Sequence, residues 1–210
     1  MAISRRSLLQ SVAWARAVLA EGPQSGLDPK AQIHLAIGIP DSLDTLKTFV
    51  EAEGNFSPGA GTHGVHFWLM DAQGRITAPT QPGVPLTYDL SGDGALIPWS
   101  RWEAAPFQVT TAICQVQETS PLGEGQVVAA RAEIVNRSDR RQLISLLAVL
   151  RPMGAAGGDV RALAADVQLS ARLVDGHPAI VADRRPDRAV ARPLDAVDSF
   201  DWTETAPPAQ

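Results

Sequence analysis

The sequence predicts a mainly β protein, an antiparallel β-sandwich with one or two short N-terminal helices. Three observations carry that prediction. The stretch from Phe107 to Leu150 holds three alternating runs separated by polar turns, the period-two pattern of half-buried strands. Glycine (17 residues) and proline (16 residues) are frequent, as a chain with many turns requires. Of the 210 residues 45% are hydrophobic, enough for one sizeable core in a chain of the size that single-domain sandwiches reach, roughly 200–250 residues.

The chain divides into three parts: residues 1–30, a sandwich domain over 31–183, and a Pro-rich, charged tail over 184–210 that reads as flexible. Residues 1–30 have two readings. Leu8, Val12, Ala15 and Leu19 recur at helical spacing, with Arg5 and Arg16 off that face, which predicts an amphipathic helix and a cytoplasmic chain. The alternative is a degenerate export signal. Ser4 to Gln10 resembles a twin-arginine motif at Arg5 and Arg6, but Arg16 interrupts the apolar stretch such a signal needs. No run approaches the ~18 apolar residues of a membrane span.

A second helix is expected after Pro40, capped by Asp41 or Ser42, with Leu43, Leu46, Phe49 and Val50 on its apolar face and its end near Gly54. Ser57 to Thr62 reads as a flexible loop. Strands follow. Val65–Met70 turns through Asp71–Gly74 into Arg75–Ala78. Thr87–Leu90 turns through Ser91–Gly94 into Ala95–Trp102. Pro98 lacks the ladder N–H and should lie at an edge or a bulge.

In Phe107–Gln117, Phe107, Val109, Thr111, Ile113 and Gln115 point one way and the intervening residues the other. Val127–Val135 puts Val128, Ala130, Ala132 and Ile134 on one face and Arg131 and Glu133 on the other. Gln142–Leu150 returns as a largely apolar strand and should be covered on both faces. These last two runs flank Asn136–Asp139 and read as a hairpin. A further hairpin joins Val167–Val174 to Ala179–Ala182 across Asp175-Gly176-His177-Pro178, with Asp-Gly as the turn signal, and Asp159–Ala165 reads as a helical turn.

The net charge of −5 argues against a nucleic-acid partner, which would want a basic stripe. The single cysteine, Cys114, allows no disulfide within the chain and sits in an alternating apolar run, so it reads as a small core residue. No Gly-x-Ser-x-Gly elbow, phosphate loop or Cys-x-x-Cys occurs. His63 and His66 are three apart, which on a strand sends them to opposite faces, so they predict no metal site. No cofactor is called for. Asn136-Arg137-Ser138 matches a glycosylation triplet, but a turn explains it.

Three tryptophans invite a different chemistry. Trp68, Trp99 and Trp102 can stack on sugar rings if exposed, or fill the core if not. Arg101, between two of them, can pair with an acid or lie on a ring. Asp89, Asp93 and Glu103 surround the same strand, and a glycosidase would need two such carboxylates about 5–9.5 Å apart.

Three segments carry a family resemblance. Phe56-Ser57-Pro58-Gly59-Ala60-Gly61-Thr62-His63-Gly64-Val65 leads into a Trp-bearing strand. Leu96-Ile97-Pro98-Trp99-Ser100-Arg101-Trp102-Glu103 precedes the long alternating run. Glu133-Ile134-Val135-Asn136-Arg137-Ser138-Asp139 precedes a leucine-rich strand ending Leu150-Arg151-Pro152. Over residues 55–155 these resemble the N-terminal β-supersandwich domain of bacterial glucoamylase-like and glycan-phosphorylase-like proteins. In that family a helical toroid after the sandwich supplies the catalytic carboxylates, and this chain has no room for one after residue 200.

The resemblance therefore implies a non-catalytic supersandwich-like module that binds glycan or docks a helical catalytic domain. Trp68, Trp99, Arg101 and Trp102 are its candidate ligand-binding residues, and no catalytic residue is assigned. Two alternatives remain: a sandwich-fold sugar-processing enzyme of the mutarotase or lyase kind using Asp89, Glu103 and a histidine, or a structural domain that assembles through its N-terminal helix.

Overall fold

The computed structural model describes residues 11–16, 27, 33–39, 41–92, 94–95, 97–120, 123–152, 154–155, 157–166, 171–181 and 189–193. The twin-arginine segment lies outside them, as does most of the predicted N-terminal helix.

Two large sheets face each other across one core, as in a β-sandwich. The first runs, in spatial order, β15 (Ala189–Pro193), β1 (Ser11–Arg16), β11 (Ile144–Arg151), β5 (Gly64–Asp71), β4 (Phe56–Ser57), β3 (Thr48–Glu51) and β2 (His34–Ile37), with β6 (Ile76–Thr77) also paired to β5. The second runs β10 (Gly123–Asn136), β9 (Phe107–Ser120), β8 (Pro98–Ala104) and β7 (Leu86–Leu90). A small third sheet orders β12 (Leu163–Asp166), β13 (Ala171–Val174) and β14 (His177–Val181). Pairing is antiparallel except where β1 lies parallel to both β11 and β15.

The core explains the layering. Val50, Phe56, Val65, Phe67, Leu69, Leu146, Ala148 and Leu150 of the first sheet meet Trp102, Phe107, Val109 and Ile113 of the second. Alternation along β9 is as the sequence predicts, with Val109, Thr111 and Ile113 buried inward. The first sheet also buries its opposite face, where Trp68, Met70, Leu147 and Val149 pack with Leu27, Ile76 and Ala78. The Arg151 guanidinium lies 5.6 Å from the Trp68 ring and donates to the Leu27 carbonyl at 2.9 Å. Strands β5 and β11 are thus covered on both sides, which is why their sequences are apolar without alternation.

Several expectations fail for identifiable reasons. The helix predicted after Pro40 is a single 3-10 turn, Asp44–Leu46, followed by β3. Leu43 and Leu46 stay exposed, so the apolar spacing marks no buried stripe. Thr48, Phe49 and Val50 are instead strand-favouring residues. The described part of the other N-terminal helix, Ser11–Arg16, is also a strand. Residues 189–193, expected in a flexible tail, pair with it as β15.

The hairpin expected from 127–135 and 142–150 does not form. β10 pairs with β9, while β11 crosses to the first sheet and pairs with β5. Turn chemistry is local, but a strand that needs cover on both faces finds it only in the middle of the larger sheet. Asp159–Ala165 is extended rather than helical, and its end forms β12. Pro98 opens the interior strand β8 instead of marking an edge, the first position being the other place where a missing N–H is tolerated.

The turns at Asp71–Gly74 and Asn136–Asp139 are as predicted, whereas His177 and Pro178, expected in a turn, open β14. Asp175 and Gly176, both at positive φ (51° and 83°), join β13 to β14. Asn136 accepts from the Ser138 backbone N–H at 2.9 Å and donates to the Arg140 carbonyl at 2.7 Å, so the glycosylation triplet is a hydrogen-bonded turn. The loop after Ser57 is ordered: the Thr62 hydroxyl donates to the Gly59 carbonyl at 2.8 Å.

Leu147 is fully buried in the second cluster between paired strands. Leu147→Ala should lower the unfolding free energy by about 2–5 kcal/mol. Urea denaturation monitored by far-ultraviolet circular dichroism measures it, and a loss under about 1 kcal/mol would mean that this face is not packed as described.

Candidate functional site

Strand β8 sorts its side chains by alternation. Pro98, Ser100 and Trp102 are buried on the inner face, whereas Trp99, Arg101 and Glu103 point out. Directly paired residues of antiparallel strands share a face. Asp89 of β7 opposes Trp99, and Thr87 opposes Arg101. On the other side, Ala112 opposes Trp99 and Thr110 opposes Arg101, and these pair in turn with Arg131 and Glu133 of β10. The outer face of the four-stranded sheet is therefore one continuous surface with Trp99 at its aromatic centre.

The polar groups around Trp99 are mutually fixed. The Arg101 guanidinium lies 5.4 Å from the indole centroid, and its Nε donates to the Thr110 hydroxyl at 3.3 Å. Arg131 and Glu133 form an exposed pair at 2.9 Å. Asp89, an exposed residue, accepts from the Leu90 backbone N–H at 2.8 Å through Oδ1. The surface offers an aromatic plate, a cation and carboxylates within about two residues of one another.

Of the four candidate residues, the fold brings Trp99 and Arg101 together and removes the other two. Trp68 is 1% exposed and Trp102 is 0% exposed, so neither has a ring face to present to a ligand. Both are core residues because they sit on strands whose inward positions they occupy. The paired-carboxylate expectation also fails. Asp89 and Glu103 share the outer face, but Glu103 lies four residues beyond Asp89's partner Trp99. That separates them by about 13 Å along the sheet, too far to flank one glycosidic bond. Asp93 lies outside the described residues.

Behind this sheet edge a cleft of about 250 Å³ opens between β7–β8 and β2–β3, lined on the inner side by Tyr88, Leu90, Val50 and Ser100. At its floor the Ser100 and Thr111 hydroxyls bond at 2.6 Å. Gly54, at φ 81°, passes so close to them that a Cβ there would collide with both.

Sequence reasoning missed a buried polar cluster beside the cleft. Glu51 directly opposes His34, so their side chains share the face turned away from Val50. The Glu51 carboxylate is fully buried. It accepts from Asn55 Nδ2 and lies 3.8 Å from His34 Nε2. His34 Nδ1 in turn lies 3.0 Å from the Ala155 carbonyl oxygen. Burial pushes the Glu51 carboxyl above its usual range. The Asn55 hydrogen bond opposes that, Glu53 adds to it, and His34 opposes it again. The only sequence trace of this cluster is the four-residue spacing of Glu51 and Asn55, which a helical reading of 41–54 hides.

His66 is buried in β5 beside Trp68, and His63 is buried in the preceding loop. Cys114 is half-buried, and burial pushes its thiol up, in keeping with an unreactive residue. Among the described residues no three His, Cys, Asp or Glu side chains gather closely enough to hold a metal ion, and no helix is long and apolar enough to cross a membrane.

Comparison with protein families, with characterised proteins and with solved structures finds no match to this chain.

The raised Glu51 carboxyl has a thermodynamic consequence. A group that holds its proton more tightly when folded supports stability below its unfolded value, about 4.3, and loses that support as pH rises through its folded value. Glu51→Gln should remove that loss. The variant's stability relative to the parent should increase as pH is raised from 4 to 7 in urea titrations. A difference that does not vary with pH would show the carboxyl to be no worse solvated in the fold than in the unfolded chain.

Proposed function

We propose that this chain is a non-catalytic β-sandwich module that binds glycan on the outer face of its four-stranded sheet. The observation that carries the proposal is the placement of half-buried Trp99 beside the exposed Arg101 and Asp89 on the outer face of one sheet. An indole presents an apolar plate with a polar edge, the form that suits a sugar ring's apolar face. A guanidinium and a carboxylate at its margin supply donors and acceptors for ring hydroxyls. The same surface lacks a closely spaced carboxylate pair, which favours binding over hydrolysis.

The resemblance of residues 55–155 to the N-terminal supersandwich of glucoamylase-like and glycan-phosphorylase-like proteins supports this reading independently, since modules of that kind serve carbohydrate-active machinery. It also suggests a companion role, docking a helical catalytic domain. The outer face, with its exposed Arg131–Glu133 pair two strands from the Trp99 patch, fits that role as well.

Isothermal titration calorimetry with α- and β-linked gluco-oligosaccharides tests the proposal. Binding should appear at millimolar ligand, and Trp99→Ala should weaken it roughly five- to tenfold, the value of one aromatic contact. Arg101→Ala should weaken it to a lesser degree. Absence of heat at millimolar glycan would remove the sugar-binding reading, as would unaltered affinity in Trp99→Ala.

A further inference from the structure

A larger cavity, open to solvent on one side, lies elsewhere, at the seam where the three sheets meet. It measures about 650 Å³ and is walled by all three sheets. Phe67 and Ala148 line it from the first sheet, Val128 and Ala130 from the second, and Val174 and Ile180 from the third. All six belong to the main core or pack against it. Protein interiors rarely keep voids larger than a water molecule, and a cavity of this size falls in the range of small-molecule sites, about 300–1,000 Å³.

One end of the cavity is polar. Thr62 and His63 come from the loop before β5, Asp159 from the segment after β11, and Asp175 and His177 from the β13–β14 turn. These segments are tied together. The Gly158 backbone N–H donates to the Thr62 carbonyl at 3.0 Å. Asp175 Oδ1 accepts from the backbone N–H groups of Arg161 and Ala162 at 3.0 and 2.7 Å. A Cβ at Gly158 would strike the Thr62 backbone, so this approach is as close as a glycine permits.

Among these groups His63 is 9% exposed, and its Nε2 has no hydrogen-bond partner among the described residues. A buried polar atom without a partner has given up its hydration for nothing in return. Burial holds the imidazole below the usual histidine value, against a smaller upward pull from Asp175. The ring therefore stays neutral near pH 7 and can either donate to or accept from a hydroxyl.

We propose that this cavity is a binding site for an uncharged amphipathic molecule, with its apolar body between Phe67, Val128 and Ile180 and a hydroxyl head at the Thr62–His63 end, where a small turn of the buried imidazole brings its Nε2 onto the head. The two aspartates at the polar end disfavour a carboxylate or phosphate head. A cationic head would be drawn to the same aspartates, but Asp175 Oδ1 already accepts from two backbone N–H groups, and the head would lose its hydration against the apolar walls. A hydroxyl satisfies the orphan nitrogen without carrying charge inside.

The full chain, titrated by calorimetry at pH 7.5 with 2-naphthol, 2-naphthoate and naphthalene, tests the site. 2-Naphthol should bind, and 2-naphthoate should bind at least about tenfold more weakly. His63→Leu should weaken 2-naphthol about three- to tenfold, the share of one hydrogen bond, while leaving naphthalene unaffected. Val128→Phe, which narrows the apolar end of the cavity, should weaken binding of both. Methyl resonances of Ala130 and Ile180 in the unmodified chain should shift with 2-naphthol, a measurement that does not depend on any variant folding. Equal affinity for 2-naphthoate, unchanged binding in Val128→Phe, or unshifted Ala130 and Ile180 methyls would each overturn the proposal.

Discussion

The pairing of β5 with β11 is the constraint on which the rest of the molecule depends. Both strands are apolar on both faces, so neither can sit at an edge or on a solvated sheet. They must lie inside a sheet that is itself covered twice. One cover is the four-stranded sheet, whose inner residues Trp102, Val109 and Ile113 meet Phe67 and Ala148. The other is the cluster of Leu27, Ile76 and Ala78 on Trp68 and Leu147. In that second layer the Leu27 carbonyl and the Trp68 ring receive the Arg151 guanidinium; an unpaired buried charge would be far too costly.

That requirement decides where ligands have access. The second sheet is needed only as a cover, so it buries one face and leaves the other to water. Its outward positions are free to carry Trp99, Arg101, Asp89 and Glu133 without cost to the core. Covering a broad sheet with two smaller ones also leaves seams. One is the cleft beside Tyr88; the other is the chamber between the three sheets at His63. Polar groups at such seams are desolvated by their neighbours, which is why Glu51 and His63 titrate away from their usual values in opposite directions.

Much of the strand pattern is legible in the sequence because alternation is a local property. The inward set of β9, the solvent-facing Arg131 and Glu133, and the Asp175-Gly176 turn can all be read residue by residue. The N-terminal third is less legible. The spacing of Leu43, Leu46, Phe49 and Val50 fits a helix, yet β2, β3 and β4 form there because backbone pairing onto β5 is available. The candidate site is half legible: tryptophan content marks β8 as unusual, and alternation alone separates Trp99 and Arg101 from Trp102. Nothing local distinguishes the fate of Trp68, or reveals that Glu51 meets His34 from across a strand pair.

The chain's own sequence determined that it is built of strands, where most of them turn, and which residues along each strand share a face. Those are consequences of short-range backbone geometry and side-chain period. Only the tertiary structure decided which strands are neighbours: that β10 and β11 part company into different sheets, that β1 and β15 lie parallel beside β11, and that three sheets leave a chamber at His63. The physical reason is that pairing partners are chosen by how much apolar surface the whole assembly can cover, a quantity no single segment contains.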